Sequence, residues 1–335
     1  MKSPHTSLEG KHLPVMIDEV LEVCGPKKGD VFMDCTFGGG GYSRELLKFK
    51  ETKVVALDRD TYVTELAEKL KDKFKTRFIF HNKKFSQLDL VTKVKFDAVI
   101  FDLGLSSIQL DDLSRGFSFK SMKELDMSMG QTDLSAKKVI NSYSSKDLKD
   151  IIKLFGEEEE ASKISKNIVK ERLKKEINNT DELVKIIKNS KKKNYKSKID
   201  ESTKTFQAIR IFVNKEVTEL IDGIIKATKI LKPGGKLVVL SFHSIEDKIV
   251  KFYFKNFSKN HSRSNKYLPE NYENLSLFDN YKNKIITASS REVKRNPRSR
   301  SAKLRVAIRS SDEFADPIKL RNKFKYLTDL EKRIA

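Results

Sequence analysis

The sequence predicts an α/β fold in which a doubly wound, mostly parallel sheet is interrupted by a helical insertion. Short apolar strand patterns alternate with helical patterns in the N-terminal third of the chain, which is typical of a parallel sheet. The first strand pattern runs into four consecutive glycines, Gly38 to Gly41, as at the first turn of many doubly wound sheets. Strand patterns then disappear and return near Lys236. We therefore expect one sheet built from two separated parts of the chain.

Four short apolar strand patterns precede the insertion, at residues 31–33, 54–57, 78–80 and 96–101. Helical patterns at 42–48 and 62–71 lie between them. Parallel strands need crossover connections of this kind, because the chain must return to the same edge of the sheet. A fifth strand pattern at 236–242 follows the turn Pro233-Gly234-Gly235 and completes the predicted sheet.

The middle of the chain has helical periodicity and many charges but no convincing strand pattern. Two apolar stripes at helical spacing are Leu148-Ile151-Ile152-Phe155 and Ile164-Ile168-Leu173. The expected organisation is a core at 1–111 and 206–310, an inserted helical domain at 112–205, a flexible loop near 258–284 and a C-terminal tail at 311–335. Two consecutive domains are the alternative, but the strand pattern at 237–240 would then have no sheet to join.

Composition limits the class of protein and the kind of partner. The formal net charge of +21 indicates a polyanionic partner, unless lysine is simply favoured throughout the chain. The two cysteines, Cys24 and Cys35, argue against a disulfide framework and a structural zinc site, and no metal is predicted. No secretory signal pattern is visible, and no stretch approaches the roughly 18 apolar residues of a membrane span. We expect a cytoplasmic protein with no membrane partner.

Acidic residues at strand ends indicate a cofactor site beside the glycines. Asp34 ends the first strand pattern, and the glycines after it let the backbone approach a ligand closely. Tyr42 or Ser43 is expected to open a helix, whose first amides favour an anionic group. A tight turn without a ligand is the alternative.

Asp58 strengthens the prediction of a nucleoside-containing cofactor. It ends the second strand pattern, where a carboxylate can accept both ribose hydroxyls of an adenosine group. A nicotinamide-dependent oxidoreductase would use the same arrangement. Against it, the glycine turn lacks the G-x-G-x-x-G spacing and the first strand carries its own acid, Asp34. The Pro-Gly-Gly turn before the fifth strand also resembles one found in many methyltransferases.

Several segments together resemble one family: bacterial ribosomal small-subunit methyltransferase H, the MraW-like enzymes that methylate the N4 amino group of a cytosine in 16S ribosomal RNA. The segments occur in the family's order and span nearly the whole chain. They are His12-Leu13-Pro14-Val15, Asp18-Glu19-Val20, Asp34-Cys35-Thr36-Phe37-Gly38, Ala56-Leu57-Asp58-Arg59-Asp60, Asp102-Leu103-Gly104-Leu105-Ser106-Ser107, Gln109-Leu110-Asp111, Arg115-Gly116-Phe117-Ser118-Phe119, Leu125-Asp126-Met127, Thr205-Phe206-Gln207-Ala208-Ile209-Arg210, Ser241-Phe242-His243-Ser244-Ile245-Glu246-Asp247 and Asn296-Pro297-Arg298-Ser299-Arg300-Ser301.

The resemblance implies a class I, Rossmann-like methyltransferase fold with S-adenosyl-L-methionine as cofactor. Position by position, it implies cofactor contacts at Gly40, Gly41, Tyr42, Asp58, Phe85, Asp102 and Gln109. From the residues alone, Phe85 lies against an adenine face or belongs to the core, and Gln109 holds a polar cofactor edge or is a surface residue. The sequence departs from the family twice: Tyr42 stands where His is usual, and Ile108 where Pro is usual. The first departure can alter packing near the methionine end of the cofactor, and the second can loosen the loop.

Two residues are candidates for catalysis. The cytosine amino group is a poor nucleophile, and a hydrogen-bond acceptor held beside it would assist its attack. Asp102, after the fourth strand, either polarises this amino group or binds the cofactor's ammonium group. His243, at the end of the fifth strand, either accepts a proton or is a structural imidazole. Ser244 is expected to cap the following helix, so Asp247 is not assigned to catalysis.

A basic segment near the C-terminal end predicts contact with RNA. Residues 291–305 carry seven cations against one acid, Glu292, and we expect Arg298, Arg300 and Lys303 to contact phosphates. A solvated charged surface is the alternative. The expected partner is 16S ribosomal RNA or the small ribosomal subunit, and the inserted domain is expected to recognise this substrate. The target cytosine must be single-stranded or flipped out. A methyltransferase for another nucleic acid and a non-catalytic RNA-binding protein are further alternatives.

Overall fold

The computed structural model describes residues 14–118, 123–130, 132, 134–191, 200–262 and 276–333. The chain forms two compact units. The first unit consists of Met1–Gly104 and Glu219–Lys323, and the second of Leu105–Thr218 and Phe324–Ala335. Each unit therefore combines two separated parts of the sequence.

Seven strands of the described residues form one sheet in the first unit. They are β1 (Val31–Asp34), β2 (Lys53–Asp58), β3 (Phe78–Asn82), β4 (Phe96–Asp102), β5 (Leu231–Ser241), β6 (Ile286–Thr287) and β7 (Lys303–Ile308). Their order is β3-β2-β1-β4-β5-β7-β6. The pairs among β1 to β5 are parallel, and β7 is antiparallel to β5 and β6. The predicted doubly wound, mostly parallel sheet is confirmed.

The helices of the described residues are, in chain order, α1 (Ile17–Cys24), α2 (Gly41–Leu46), α3 (Thr64–Phe74), α4 (Leu88–Val91), α5 (Ser107–Asp111), α6 (Ala136–Ser142), α7 (Ser145–Gly156), α8 (Ala161–Arg172), α9 (Thr180–Ser190), α10 (Thr203–Asn214), α11 (Glu216–Ile230), α12 (Ser244–Asn256), α13 (Lys259–Ser262), α14 (Ser290–Arg295), α15 (Ile318–Lys323) and α16 (Lys325–Arg333). Helices α5 to α10 and α16 belong to the second unit, and α11 crosses the boundary between the units. No described helix is both long and apolar enough to cross a membrane.

The strand order places the ends of β1 and β4 side by side. After β1 the chain adds β2 and β3 on one side, and it then returns to the other side of β1 with β4. In open α/β sheets, ligands bind beyond the carboxyl ends of the strands at such a reversal. Asp34 ends β1 and Asp102 ends β4, and Asp58 ends the neighbouring β2. The fold therefore gathers the three predicted acids at one edge of the sheet.

The fifth strand begins earlier than its sequence pattern predicts. We expected it at 236–242, but β5 already starts at Leu231 and includes the Pro-Gly-Gly turn. The strand begins there because Leu231 pairs with Phe96 of β4. Beyond the end of β7, Gly234 N donates to Arg309 O and Arg309 N donates to Gly235 O, both at 2.8 Å. Gly234 has φ +78°, so the turn is not extended, and the pairing of β5 with β4 shifts register there.

The core of the first unit also contains an aromatic cluster beneath α12. Tyr253 and Phe254 are fully buried and meet the buried ring of Phe278 at 5.1 and 5.2 Å between centroids. The Tyr253 hydroxyl donates to Thr228 Oγ1 at 2.9 Å. This contact satisfies the only polar group of the ring and fixes α12 against α11. Phe278 lies within the range 258–284, whose residues 263–275 are outside the described part of the chain.

The second unit is a helical body, as predicted for the insertion. The stripe Leu148-Ile151-Ile152-Phe155 is fully buried on α7, and Ile164 and Ile168 are fully buried on α8. Leu173, expected on the second stripe, is 81% exposed. Leu173 keeps helical backbone angles, but it follows Ile168 by five residues, about 140° around the helix, and so lies off the buried face.

The boundaries of the second unit differ from the expected range 112–205. The position 205/206 falls inside α10, which as one helix stays with the second unit. Residues 311–335, expected as a tail, include α15 and α16. Glu331 on α16 is buried and accepts bonds from Val217 N at 3.0 Å and Thr218 N at 2.9 Å. The last helix thus satisfies amides in the first turn of α11, which otherwise lack partners within that helix.

Candidate active site

The first turn after β1 is organised by Asp34. Its carboxylate is fully buried and accepts bonds from Ser43 Oγ at 2.7 Å and Thr36 N at 3.3 Å. Burial raises the pKa of Asp34 above its ordinary value. Both oxygens therefore serve the turn itself: they tie the start of α2 to the end of β1.

Gly40 and Gly41 are required by the packing of this turn. Gly40 has φ +72°, and a Cβ there would lie 2.7 Å from the Phe37 ring. A Cβ on Gly41 would lie 2.8 Å from Pro14 Cβ. Helix α2 begins at Gly41, so the prediction that Tyr42 or Ser43 opens it was wrong by one or two residues. Gly40 caps the helix in the left-handed conformation, which residues with a Cβ rarely adopt.

Tyr42 lies in the first turn of α2 and is buried. Its hydroxyl donates to Val15 O at 2.5 Å. Burial raises the pKa of this phenol well above its ordinary value, and the charges of Asp102 and Asp34 raise it further. The phenol is therefore a neutral donor, and it ties the segment before α1 to the glycine turn.

Asp58 at the end of β2 is already engaged by the backbone. Oδ2 accepts from Gly38 N at 2.8 Å, and Oδ1 accepts from Asp60 N at 2.9 Å. Each carboxylate oxygen has a further lone pair, so both can still accept a hydroxyl. Burial raises the pKa of Asp58 to about 6, against the effect of these two bonds. The bonds orient the carboxylate at the sheet edge where a ribose was predicted.

Asp102 at the end of β4 has a buried oxygen, Oδ1, with no hydrogen-bond partner in the described part of the chain. Its backbone N donates to Thr36 Oγ1 at 2.7 Å, which ties the end of β4 to the turn after β1. Burial, followed by the charge of Asp34, raises the pKa of Asp102 to about 8, against the effect of the nearby Tyr42 hydroxyl, which lowers it. A buried acceptor without a partner costs free energy unless a ligand supplies the donor.

Phe85 and Gln109 have local roles in their own units. The Phe85 ring meets Phe101 edge-on at 5.4 Å and leaves no room for a Cβ at Gly223, which would lie 2.7 Å away. Phe85 is half-buried, so it packs on the core and keeps an accessible part. Gln109 belongs to the second unit, where its Oε1 accepts from Ser106 N at 3.0 Å in the cap of α5.

His243, and not Ser244 as expected, is the N-cap of α12. The reason is Glu246, whose Oε2 accepts from Phe242 N at 2.8 Å and from His243 N at 3.3 Å. The imidazole Nδ1 accepts a long bond of 3.5 Å from Glu246 N. Its Nε2 lies 3.0 Å from Glu246 Oε1 but outside hydrogen-bond geometry. The ring is thus held over the first turn of α12; because Nδ1 accepts, the proton of the neutral ring is on Nε2, beside the Glu246 carboxylate.

The predicted RNA-contacting cations differ in their surroundings. Arg298 and Arg300 lie on the short 3₁₀ segment Pro297–Ser301 and are exposed. Lys303 on β7 lies 3.2 Å from Asp247, which Arg305 also binds at 2.7 Å. Asp247 therefore has two basic partners on β7. Lys303 is partly committed to this ion pair.

Thr36 was not predicted as a site residue. Its hydroxyl accepts from Asp102 N, and its own amide donates to Asp34. One residue therefore joins the two acids at the reversal of strand order. The only sequence signal was its place between a strand-ending acid and the glycines, which gives no partner for the hydroxyl.

Comparison with known proteins identifies the family of this chain. Residues 9–310 match the model of the MraW methylase family. Three relatives, each named ribosomal RNA small subunit methyltransferase H, are 42–43% identical to this chain. The protein of Bartonella tribocorum is 42% identical over 92% of this chain and 93% of the relative. The protein of Bartonella henselae is 43% identical over 91% of this chain and 88% of the relative. The protein of Ehrlichia ruminantium is 42% identical over 89% of this chain and 99% of the relative.

The match covers the glycine turn, the three strand-ending acids and the basic segment. It favours the methyltransferase hypothesis over the nicotinamide-dependent one, because the family is one of methylases. The family model spans 302 residues of this chain, and the three relatives are more than 40% identical to it, so the match holds for the chain as a whole. This protein belongs to the MraW methylase family.

Proposed function

We propose that this protein transfers a methyl group from S-adenosylmethionine to the N4 amino group of a cytosine in the decoding region of 16S ribosomal RNA. The observation that carries the proposal is the family match over residues 9–310, which includes every residue predicted to bind the cofactor. The names of the relatives supply the substrate class, a small-subunit ribosomal RNA. A ribosomal substrate makes the cytoplasm the proposed location.

The residues at the sheet edge fit this cofactor. Asp58 would accept the ribose hydroxyls, since both its oxygens keep a free lone pair beside their backbone bonds. Gly40, Gly41 and Tyr42 would lie along the methionine end, and Phe85 and Gln109 complete the proposed set. The unpartnered Asp102 Oδ1 is the feature that most needs a ligand donor. An ammonium or amino group is such a donor.

Asp102 is the proposed catalytic carboxylate. S-adenosylmethionine supplies a methyl group made electrophilic by the sulfonium charge. Asp102 Oδ1 would accept a hydrogen bond from the cytosine amino group and so localise its lone pair on nitrogen. The pKa of Asp102 is about 8 without a ligand, and a positive charge of the cofactor nearby would lower it toward the ordinary aspartate value. The carboxylate would then be ionised, and able to accept, at neutral pH. His243 would hold the base by donating from Nε2–H, because its Nδ1 accepts from Glu246 N and the proton of the neutral ring is therefore on Nε2.

The RNA-binding residues form the second part of the proposal. Arg298 and Arg300 are exposed and suited to phosphate contact, and Lys303 contributes less because it pairs with Asp247. The second unit is proposed to recognise the substrate. Ultraviolet crosslinking of bound RNA, followed by peptide mapping, tests this: crosslinks within 105–218 are expected, and crosslinks confined to the first unit would refute it.

Mass mapping of ribosomal RNA tests the activity itself. Cells lacking the gene should contain a 16S cytosine without its N4 methyl group. The wild-type gene should restore the modification, and the Asp102→Ala variant should not. Ribosomal RNA with an unchanged methylation pattern in the deletion strain would overturn the proposal.

A further inference from the structure

The three residues before α1 connect the cofactor turn with the basic segment; we name Pro14, Val15 and Met16 the anchor segment. Pro14 lies against Gly41, and Val15 O accepts the Tyr42 hydroxyl. Met16 N donates to Glu292 Oε1 at 3.3 Å, across 276 residues of sequence. Consecutive residues thus bind α2 on one side and α14 on the other, all within the first unit.

The backbone of the anchor segment is held against its own preference. Met16 is fully buried and has φ 53°, in the left-handed region that residues with a Cβ avoid. It precedes α1 without a side-chain cap. Such a conformation persists only where the surroundings impose it. The segment is held by the Tyr42 hydroxyl, which donates to Val15 O, by Glu292, which accepts from Met16 N, and by Val20 N, which donates to Met16 O at 2.9 Å.

Glu292 is an unusual residue for its position. It is the one acid among the seven cations of residues 291–305, and it is 7% exposed. Its Oε1 accepts from Met16 N, and its Oε2 accepts from Arg295 Nη2 at 3.2 Å. The Arg295 side chain is about half exposed, so its guanidinium can also reach a ligand. Glu292 therefore shares its charge between the anchor segment and a surface cation.

We propose that Glu292 is a positioning residue that couples RNA binding to cofactor binding through the anchor segment. The inference rests on the proposed function, since it takes an RNA phosphate as the ligand of Arg295. A phosphate that draws the guanidinium away leaves the Glu292 carboxylate with fewer donors, and its bond to Met16 N strengthens. The anchor segment then packs more firmly on Gly41 and Tyr42, which border the cofactor site. RNA and cofactor therefore bind with positive cooperativity.

Calorimetry on the full chain tests the coupling. The dissociation constant of S-adenosylhomocysteine, the demethylated cofactor, is measured with and without a saturating single-stranded RNA oligonucleotide that contains the substrate cytosine. Wild-type protein should bind it at least about fivefold more tightly with RNA present, the lower end of usual coupling between sites. By linkage, the RNA affinity should rise by the same factor when S-adenosylhomocysteine is present.

Glu292→Gln is the main variant, because the amide oxygen can still accept from Met16 N while the charge that binds Arg295 is lost. Its coupling factor should fall toward one. Tyr42→Phe, which removes the bond to Val15 O, should reduce the factor as well. Tyr326→Phe is the matched control, since it removes a hydroxyl from a side chain that is 55% exposed, and its coupling should equal that of wild type.

The outcomes separate this inference from the proposed function. If wild-type protein binds S-adenosylhomocysteine and RNA but neither affinity depends on the other ligand, the coupling is refuted and the proposed function stands. Undiminished coupling in folded Glu292→Gln also refutes the role of this residue. If wild-type protein binds neither ligand, the proposed function itself fails.

Discussion

The titration of Asp58 gives a direct test of the ribose assignment. Burial raises its pKa to about 6, so the group changes charge just below neutral pH. Only the carboxylate offers both oxygens as acceptors to a pair of ribose hydroxyls. Lowering the pH through 6 should therefore weaken cofactor binding, since protonation removes one of the two acceptors.

The magnitude follows from the fraction of protein that carries the carboxylate. A group with a pKa near 6 is about 90% ionised at pH 7 and about 9% ionised at pH 5. Because the apparent dissociation constant scales with the inverse of the competent fraction, affinity should fall by up to about tenfold between these values. Asp58→Asn should bind weakly at both, since each lost bond to a charged acceptor is worth about 1.5–3 kcal/mol.

The assay is calorimetric titration with S-adenosylhomocysteine at intervals from pH 5 to pH 7, on wild type and on two variants. Asp58→Asn should show no such dependence on pH. Asp60→Asn is the matched control: it removes a charge two residues away that raises the pKa of Asp58, so its titration should move to lower pH. A wild-type affinity that stays constant from pH 5 to pH 7, or an equal dependence in Asp58→Asn, would refute the assignment.

Three other variants test the charged groups. Burial and Asp34 raise the pKa of Asp102 to about 8. As the pH rises from the ordinary aspartate range to 8, the free energy of unfolding of cofactor-free wild type should therefore fall, relative to that of Asp102→Asn, by up to about 1.4 kcal/mol per pH unit. Identical dependence of urea unfolding on pH in the two proteins would contradict this. Replacing both Arg298 and Arg300 with Gln should reduce the slope of log RNA affinity against log salt concentration by about 0.7 per lost phosphate contact. An unchanged slope would mean that the RNA binds elsewhere. Burial raises the pKa of Glu331 to about 7. Wild-type protein should therefore lose stability as the pH rises from the ordinary glutamate range to 7, and Glu331→Gln should lack this part of the loss. Urea unfolding at several pH values measures the difference.

Strands β1, β2 and β4 were predictable because each is a mostly buried run of apolar residues that ends on a polar one, whereas β3 lies at the sheet edge and only Phe78 is buried in it. Such a run has few alternatives inside a parallel sheet, and its end marks the functional edge. The start of β5 was not predictable, because it depends on the pairing of Leu231 with Phe96 of β4, far apart in sequence. Leu173 was placed wrongly for a different reason: its spacing of five residues from Ile168 does not fit one face of a helix.

The candidate site was predictable in its residue types and less so in their partners. Three strand-ending acids indicated a polar crevice, and the fold brings them to one edge. The sequence contains no sign that Thr36 joins Asp34 to Asp102, or that Glu246 makes His243 the cap of α12. These contacts depend on tertiary distances of a few ångströms, which spacing along the chain does not encode.

The electrostatics of the three acids also bear on which cofactor the site accepts. Asp34 raises the pKa of both Asp58 and Asp102, and burial raises all three. Like charges in a poorly solvated crevice repel one another, so a ligand that brings positive charge relieves the repulsion, whereas one that brings negative charge adds to it. A nicotinamide dinucleotide would place a pyrophosphate near these carboxylates. S-adenosylmethionine carries a sulfonium and an ammonium group instead, and Asp102 Oδ1 offers them an acceptor that no described residue occupies. The same crevice should therefore bind S-adenosylmethionine more tightly than its uncharged-sulfur product, which favours release after methyl transfer.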